Sequence, residues 1–270
     1  METTWIEHNN GICWEESTLL KDAGLCHGVT GRSGGTSPEP YGSLNLALHV
    51  GDDPKEVLEN RRRLCQTIGC SLHQLTMAQQ THEDHVVAVG ESECGSGAGS
   101  YQDALEHTDA LMTNIPGIPL MICIADCVPV ILFDPVHQAC AVIHDGWRGT
   151  VAKLAAKTVF AMRLAYGSLP EQLLAYVGPS ISMPHFEVSE DTAQQFIQIG
   201  REDCVVRRDG TRCIDLWKAN RLLLQEAGLA VDHITVTQSC VYEEEGKFFS
   251  YRRDGGVTGR MGAFAMIREG

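Results

Sequence analysis

The stretch Ala125–Thr150, ADCVPVILFDPVHQACAVIHDGWRGT, decides the fold. Two apolar runs, Val128–Phe133 and Ala139–Ile143, flank Asp134-Pro135-Val136-His137, with proline at the second position of a four-residue turn. The pattern predicts a β-hairpin. Pairing around that turn puts 134 opposite 137, 132 opposite 139, 130 opposite 141 and Cys127 opposite His144. Opposed Cβ atoms in a hairpin sit about 4.5–5.5 Å apart, so a thiol and an imidazole would share one face. Taken alone, the pair reads either as part of a metal or Cys–His site, or as a buried cysteine beside a histidine at a sheet end.

After His144 the chain runs Trp147-Arg148-Gly149-Thr150 into a helical pattern. Glycines 146 and 149 permit close backbone approach, and a helix start with a guanidinium fork suits an anion. The blander alternative is a glycine turn with a surface arginine. Upstream, Gln79-Gln80-Thr81-His82-Glu83-Asp84-His85 supplies two more imidazoles, spaced three apart rather than the four of the zincin motif. Either one added to Cys127 and His144 would make three ligands with an open fourth position; the alternative reading takes both as solvated strand-edge residues.

Working outward, helices are expected at Lys55–Ile68, Thr150–Tyr166, Ser189–Ile199 and Leu216–Ala227, each followed closely by glycine. Strands are expected at Val86–Val89, Leu120–Ile124, Leu174–Val177, Ile234–Thr237, Phe248–Arg252 and Ala263–Ile267, besides the hairpin. Helices and strands do not alternate regularly. The fold class is therefore α+β with mixed or antiparallel sheets and flanking helices, read as one domain over 1–270. Gly31–Ser43 and Glu91–Ser100 read as loops, the first rich enough in polar groups to be functional. Arg61–Arg63 and Arg252–Arg253 read as solvated faces, and Arg260 as able to reach an anion.

The composition narrows the function. Thirty-five acids against 21 bases leave a net charge of −14, which argues against nucleic-acid and anionic-membrane partners. Asp126, Pro129, Asp134 and Pro135 interrupt the most apolar stretch, Leu120–Ile143, and exclude a membrane span there. Eleven scattered cysteines, with no C-x-x-C pair and no signal peptide, point to a reduced, cytoplasmic protein.

Taken together, RSGGTSPEPYGSLNLALHVGDD, NRRRL, QQTH, DALMT, ADCVPV, HDGWRGT, VGPSIS and SYRRDGGVTGRMGAF resemble the laccase-domain family, first called multicopper polyphenol oxidases. The resemblance implies purine nucleoside phosphorylase activity with adenosine deamination. It also implies an α+β fold similar to the catalytic domain of the cytotoxic necrotising factors. By motif position it implies Zn2+ held by His82, Cys127 and His144, with purine nucleoside and phosphate as ligands and no protein partner indicated. Cys127, His144 and Arg148 are the catalytic candidates. Arg148 and the start of the 150–166 helix would hold the anion, and Arg32, Ser37, Asn45 and His49 would form the nucleoside pocket. Glu83 and Asp145 are unusual neighbours for two of the ligands.

Three other readings compete. Copper at the same residues would suit a polyphenol oxidase, since two histidines and a cysteine are also a copper donor set. The eleven histidines, however, contain no H-x-H pair for a trinuclear cluster. Cys127 with His144 as base would make a metal-free thiol hydrolase or deamidase. A fourth protein ligand, His85 or Asp145, would make the zinc structural.

Overall fold

The computed structural model describes residues 2–208 and 210–269. Its centre is a pair of six-stranded mixed sheets. The first runs β1 (Thr3–Glu7), β2 (Cys13–Ser17), β3 (Cys26–Thr30), β15 (Met261–Met266), β7 (Leu120–Ile124), β4 (Thr76–Met77). The second runs β14 (Ile234–Val236), β10 (Leu174–Val177), β8 (Val128–Asp134), β9 (Ala139–Asp145), β6 (Ala110–Thr113), β5 (Val86–Ala88). Pairing is antiparallel except for β4 with β7, β5 with β6 and β10 with β14. A smaller ribbon holds β11 (Glu187–Val188), β13 (Thr211–Ile214) and β12 (Val205–Arg208).

Two-residue periodicity sorts the strands' side chains into three cores. Ile122, Ile124 and Ala263 of the first sheet meet Ile131, Phe133, Val142 and Tyr176 of the second. On the outer face of the second sheet, Val130, Leu132, Ala141 and Ile143 pack with Leu154 and Val159 of α4 (Leu154–Tyr166) and Ala219 and Leu224 of α6 (Leu216–Glu226). Outside the first sheet, Met121, Cys123 and Phe264 pack with Leu64, Cys65 and Ile68 of α2 (Pro54–Ile68). The order is helix, sheet, sheet, helix. Strands covered on both faces read as unbroken apolar runs, which is why β7, β8 and β9 are buried throughout. Two shorter helices are α1 (Thr18–Asp22) and α5 (Glu190–Gln198), the latter capped by Ser189. No helix among the described residues is long and apolar enough to cross a membrane.

The hairpin forms, with a register correction. Asp134 pairs with Ala139 and Pro129 with His144, so the loop holds four residues, Pro135 to Gln138. Asp134 Oδ1 accepts the amides of Val136 and His137 at 2.9 and 3.1 Å, and Gln138 takes a left-handed φ of 49°. The shift of two residues leaves every side chain on its expected face, because the face alternates with each residue. Cys127 comes level with Gly146 instead of His144, and both ligand candidates still point the same way.

Two other expectations are corrected. The helix expected at 150–166 is two: α3 (Trp147–Val151) starts after Gly146, and α4 follows a break where Lys153 has φ 60°. A periodic pattern cannot register a single left-handed residue, and with the break goes the anion-binding helix start at 150. Phe248–Arg252 is not a strand. Asp126 accepts Ser250 Oγ and the Arg252 amide, both at 2.6 Å, and these bonds curl the segment into turns despite its aromatic composition.

Candidate active site and metal centre

The ends of β7, β8 and β9 meet the segment after β4. Asp126, at φ 87°, turns the chain so that Cys127 enters β8, and His144 lies near the end of β9. His82, at φ 62°, projects from the segment that leaves β4. Donor atoms of His82, Cys127 and His144 all lie within 4.8 Å of one another. The two imidazole rings stand 4.7 Å apart at 61°. Gly146 keeps room beside them: a Cβ there would sit 2.8 Å from Cys127 Sγ.

Asp109, at the start of the quoted DALMT motif, organises two of the three. Its fully buried carboxylate accepts His144 Nδ1 at 2.7 Å and the His82 amide at 3.2 Å. It also accepts the amides of Thr81 and Glu83, at 3.1 and 2.8 Å. Engaging Nδ1 leaves Nε2 of His144 to face the thiol. Sequence reasoning quoted the motif without giving Asp109 a role; an acid immediately before an apolar strand was the available signal.

Burial alone would raise the Cys127 thiol, but His144 and then His82 outweigh it and bring it down to about 6. Burial would lower His144, yet Cys127 and Asp109 lift it to about 10. Each group thus favours the charged form of the other, and a metal ion would take the place of the proton between them. One thiolate and two imidazoles, with a carboxylate behind one ring, are the donors and support of a transition-metal centre. The residues present fit a metal ion.

The triad opens on a cavity of about 570 Å³, within the usual range for a small-molecule site. The same cavity is lined by three arginines, each stacked on an aromatic ring: Arg148 on Trp147 at 4.3 Å, Arg260 on Tyr251 at 5.3 Å and Arg252 on Phe186 at 5.6 Å. Arg252 also donates to the carbonyls of His185 and Glu187, so this exposed side chain lines the cavity rather than standing free in solvent. Arg61 likewise departs from expectation: it is buried, holding the carbonyls of Leu46, Gly97 and Ala98.

Of the four nucleoside-pocket candidates, the structure brings His49 to the cavity, at its mouth. Burial, then Arg260 and Arg61, holds its imidazole down at about 4, so the ring is neutral at pH 7. Asn45 is fully buried and stands behind this wall, its Oδ1 accepting the Arg260 amide at 3.0 Å. Ser37 donates to Asp52 at 2.6 Å in the same buried network. Arg32 lines a separate open recess with Ser37 and Glu39, its Nε bonded to the Gly42 carbonyl. Glu83 is exposed, and Asp145 lies wholly buried under Gly149 without lining the cavity.

A purine nucleoside phosphorylase of Deinococcus radiodurans is 40% identical over 237 residues, spanning 88% of this chain and 87% of the relative. Adenosine deaminase RL5, from an unknown prokaryotic organism, is 38% identical over 224 residues, 82% of this chain and 85% of its own length. The crystal structure of YlmD from Geobacillus stearothermophilus superposes with a TM-score of 0.94 at 32% identity, covering 99% of this chain and all of that one. Residues 26–268 match a single family profile. The chain belongs to the multi-copper polyphenol oxidoreductase laccase family.

Proposed function

We propose that this chain is a zinc-dependent purine nucleoside enzyme, cleaving adenosine or inosine with phosphate and also deaminating adenosine. One observation carries the reading: a single cavity sets the His82–Cys127–His144 triad against three arginine–aromatic pairs. That is one wall for a metal and another for an anion and a flat base. Relatives named for both activities support it.

His82, Cys127 and His144 hold the zinc, which when bound supplies a Lewis acid and a water-activating charge. In phosphorolysis, a phosphate oxygen bonds to C1′ of the ribose while the C1′–N9 bond breaks. Its electron pair leaves with the purine, which is protonated on a ring nitrogen, and ribose 1-phosphate remains. Arg148, Arg252 and Arg260 hold the phosphate and offset its charge as it approaches C1′. Trp147, Phe186 and Tyr251 offer faces for the base. Neutral His49 gives the nucleoside a hydrogen-bond partner without adding charge. Arg32, Ser37 and Asn45 act from behind, bracing the loop that carries His49. In deamination, water adds at C6 and ammonia leaves, giving inosine.

The whole chain, 1–270, acts as one catalytic domain, and eleven free cysteines suit the reducing cytoplasm. Relatives named for purine chemistry weigh against the copper polyphenol oxidase reading. The thiol hydrolase is the runner-up, favoured by the Cys127–His144–Asp109 line, which is the arrangement of a nucleophile, its base and an orienting acid. His82 on the same sulfur favours the metal instead.

The test is product analysis of adenosine incubated with zinc-loaded protein and phosphate. Adenine with ribose 1-phosphate is expected from phosphorolysis, and inosine with ammonia from deamination. Neither product, from folded and metal-loaded protein, overturns the reading.

A further inference from the structure

A second set of donors stands outside this machinery. His185, Cys240 and Glu243 bring an imidazole nitrogen, a thiol sulfur and a carboxylate oxygen within 4.8 Å of one another. None of the three lines the cavity. They come from two segments far apart in sequence: the turn Met183–His185, and the stretch after β14 that bridges to Ser180 at Cys240.

The geometry of each donor is fixed by a neighbour. Tyr242 stacks on the His185 ring, centroids 4.3 Å apart and planes at 16°, which aims Nε2 toward Glu243 Oε1 at 2.7 Å. Cys240 Sγ accepts Ser182 Oγ at 2.9 Å and the Ser182 amide at 3.4 Å. A sulfur accepting two hydrogen bonds is supported in the way coordinated thiolates are supported by their surroundings. Mixed nitrogen, sulfur and oxygen donors suit zinc and its neighbours, whereas calcium and magnesium take oxygen shells. Cys240 is buried and Glu243 exposed, so the group opens to water on the carboxylate side, where a fourth ligand can enter.

We propose that His185, Cys240 and Glu243 form a second site for a divalent cation of the zinc class. A cation entering it must first displace the 2.7 Å hydrogen bond between His185 and Glu243. A cation there ties the two segments together beneath the cavity wall, since Phe186 follows His185 directly and Arg252 donates to the His185 carbonyl at 3.2 Å. The assignment is independent of the reaction the cavity performs.

Metal-free protein, full length, is dialysed against zinc and its metal content counted, and cobalt serves as a spectroscopic probe. Two equivalents are expected for the unaltered chain, one for Cys127→Ser, one for Cys240→Ser and none for the double variant. Cobalt in Cys127→Ser is expected to show a thiolate-to-metal band that Cys240→Ser/Cys127→Ser lacks. Should Cys240→Ser fail to fold, Glu243→Gln and His185→Gln in the Cys127→Ser background replace it. Each is expected to weaken the remaining equivalent at least tenfold. Zinc is also expected to raise the melting temperature of Cys127→Ser. A single equivalent in the unaltered chain, lost entirely in Cys127→Ser, overturns the proposal and leaves His185 and Glu243 as a surface pair beside a buried thiol.

Discussion

Asp109→Asn tests the proposed metal centre through its support while leaving His82, Cys127 and His144 in place. The carboxylate takes four hydrogen bonds: His144 Nδ1 and the His82 amide on Oδ1, and the Thr81 and Glu83 amides on Oδ2. An asparagine retains one acceptor and turns the other into a donor. In one orientation its NH₂ meets two backbone N–H groups; in the other it meets the His144 ring nitrogen and the His82 amide. Either way, two hydrogen bonds to a charged acceptor are lost, at about 1.5–3 kcal/mol each before any rescue. Residues 81–83 are exposed, so water recovers part of the loss on that side and roughly 2–3 kcal/mol of stability goes. A carboxylate behind a ligating imidazole is worth about 10–100-fold in metal affinity. That equals roughly 1.4–2.7 kcal/mol. The assay is competition for zinc against a chromogenic chelator, paired with urea unfolding of the metal-free protein. Affinity is expected to fall at least tenfold, with the urea midpoint lowered. Folded Asp109→Asn that binds zinc as tightly as the parent would refute the claim that Asp109 organises the site.

Three further outcomes follow from the same contacts. Gly146→Ala places a methyl 2.8 Å from Cys127 Sγ at an ordinary backbone φ of −60°, so metal content is expected to drop with little change in the melting temperature of the metal-free protein; retention of full metal argues against a site at that sulfur. Arg148→Ala, which removes an exposed side chain stacked on Trp147, is expected to raise KM for phosphate about tenfold or more at unchanged zinc content, checked by initial rates against phosphate concentration. His27 is buried and held down at about 4, chiefly by burial, with Nε2 accepting the Ser17 amide and Nδ1 donating to the Leu25 carbonyl. Its unfolded form takes up a proton first as pH falls, so its contribution is complete above about 6.5 and is lost progressively toward 4, by about 2 kcal/mol at pH 5. Urea unfolding at pH 7 and pH 5 checks this: His27→Gln should show a smaller drop than the parent, and an equal drop shifts the effect to other groups.

How much of this was legible depended on whether a residue's neighbours in space were also its neighbours in sequence. The hairpin β8–β9, the capped helices α2, α5 and α6, and β7 and β10 are local patterns, and their positions hold to within a residue or two. The first three strands escaped notice. Cys13–Ser17 carries Glu15 and Glu16 in a fully buried strand. Glu15 is matched by hydroxyls of Tyr176, Thr237 and Ser239, and Glu16 by Trp14 and Lys21. The partners of Glu15 lie more than 160 residues away, so a buried-strand pattern could not be read from CWEES alone. Of the three arginines lining the cavity, Arg148 and Arg260 were legible as anion candidates, and Arg252 was missed for the same reason. Arg252 sits in a basic dipeptide, and only Asp126, more than a hundred residues upstream, turns its backbone toward the cavity.

That arrangement explains why the grouping of His82, Cys127 and His144 was easier to read than the rest of the cavity lining. His144 lies in β9 and Cys127 immediately before β8, so the sheet's alternation sets their side and tolerates a register error of two residues without moving either to the wrong face. His82 and the turn before Cys127 are set differently, by non-glycine residues in the left-handed region, at φ 62° for His82 and 87° for Asp126. Such conformations cost about 1–2 kcal/mol each and persist only where other bonds hold them. For His82 the bonds come from Asp109, which takes three consecutive amides. At Asp126 they come from its own carboxylate, closed on Ser250 and Arg252. The two acids therefore do for the irregular half of the site what strand pairing does for His144. Asp126 also couples the halves: the carboxylate that steadies the turn into Cys127 is the one that holds the backbone of Arg252 beside the cavity. The turn into Cys127 and the segment carrying Arg252 are thus held by one half-buried carboxylate, and a change that frees Arg252 is bound to loosen the approach to Cys127 as well.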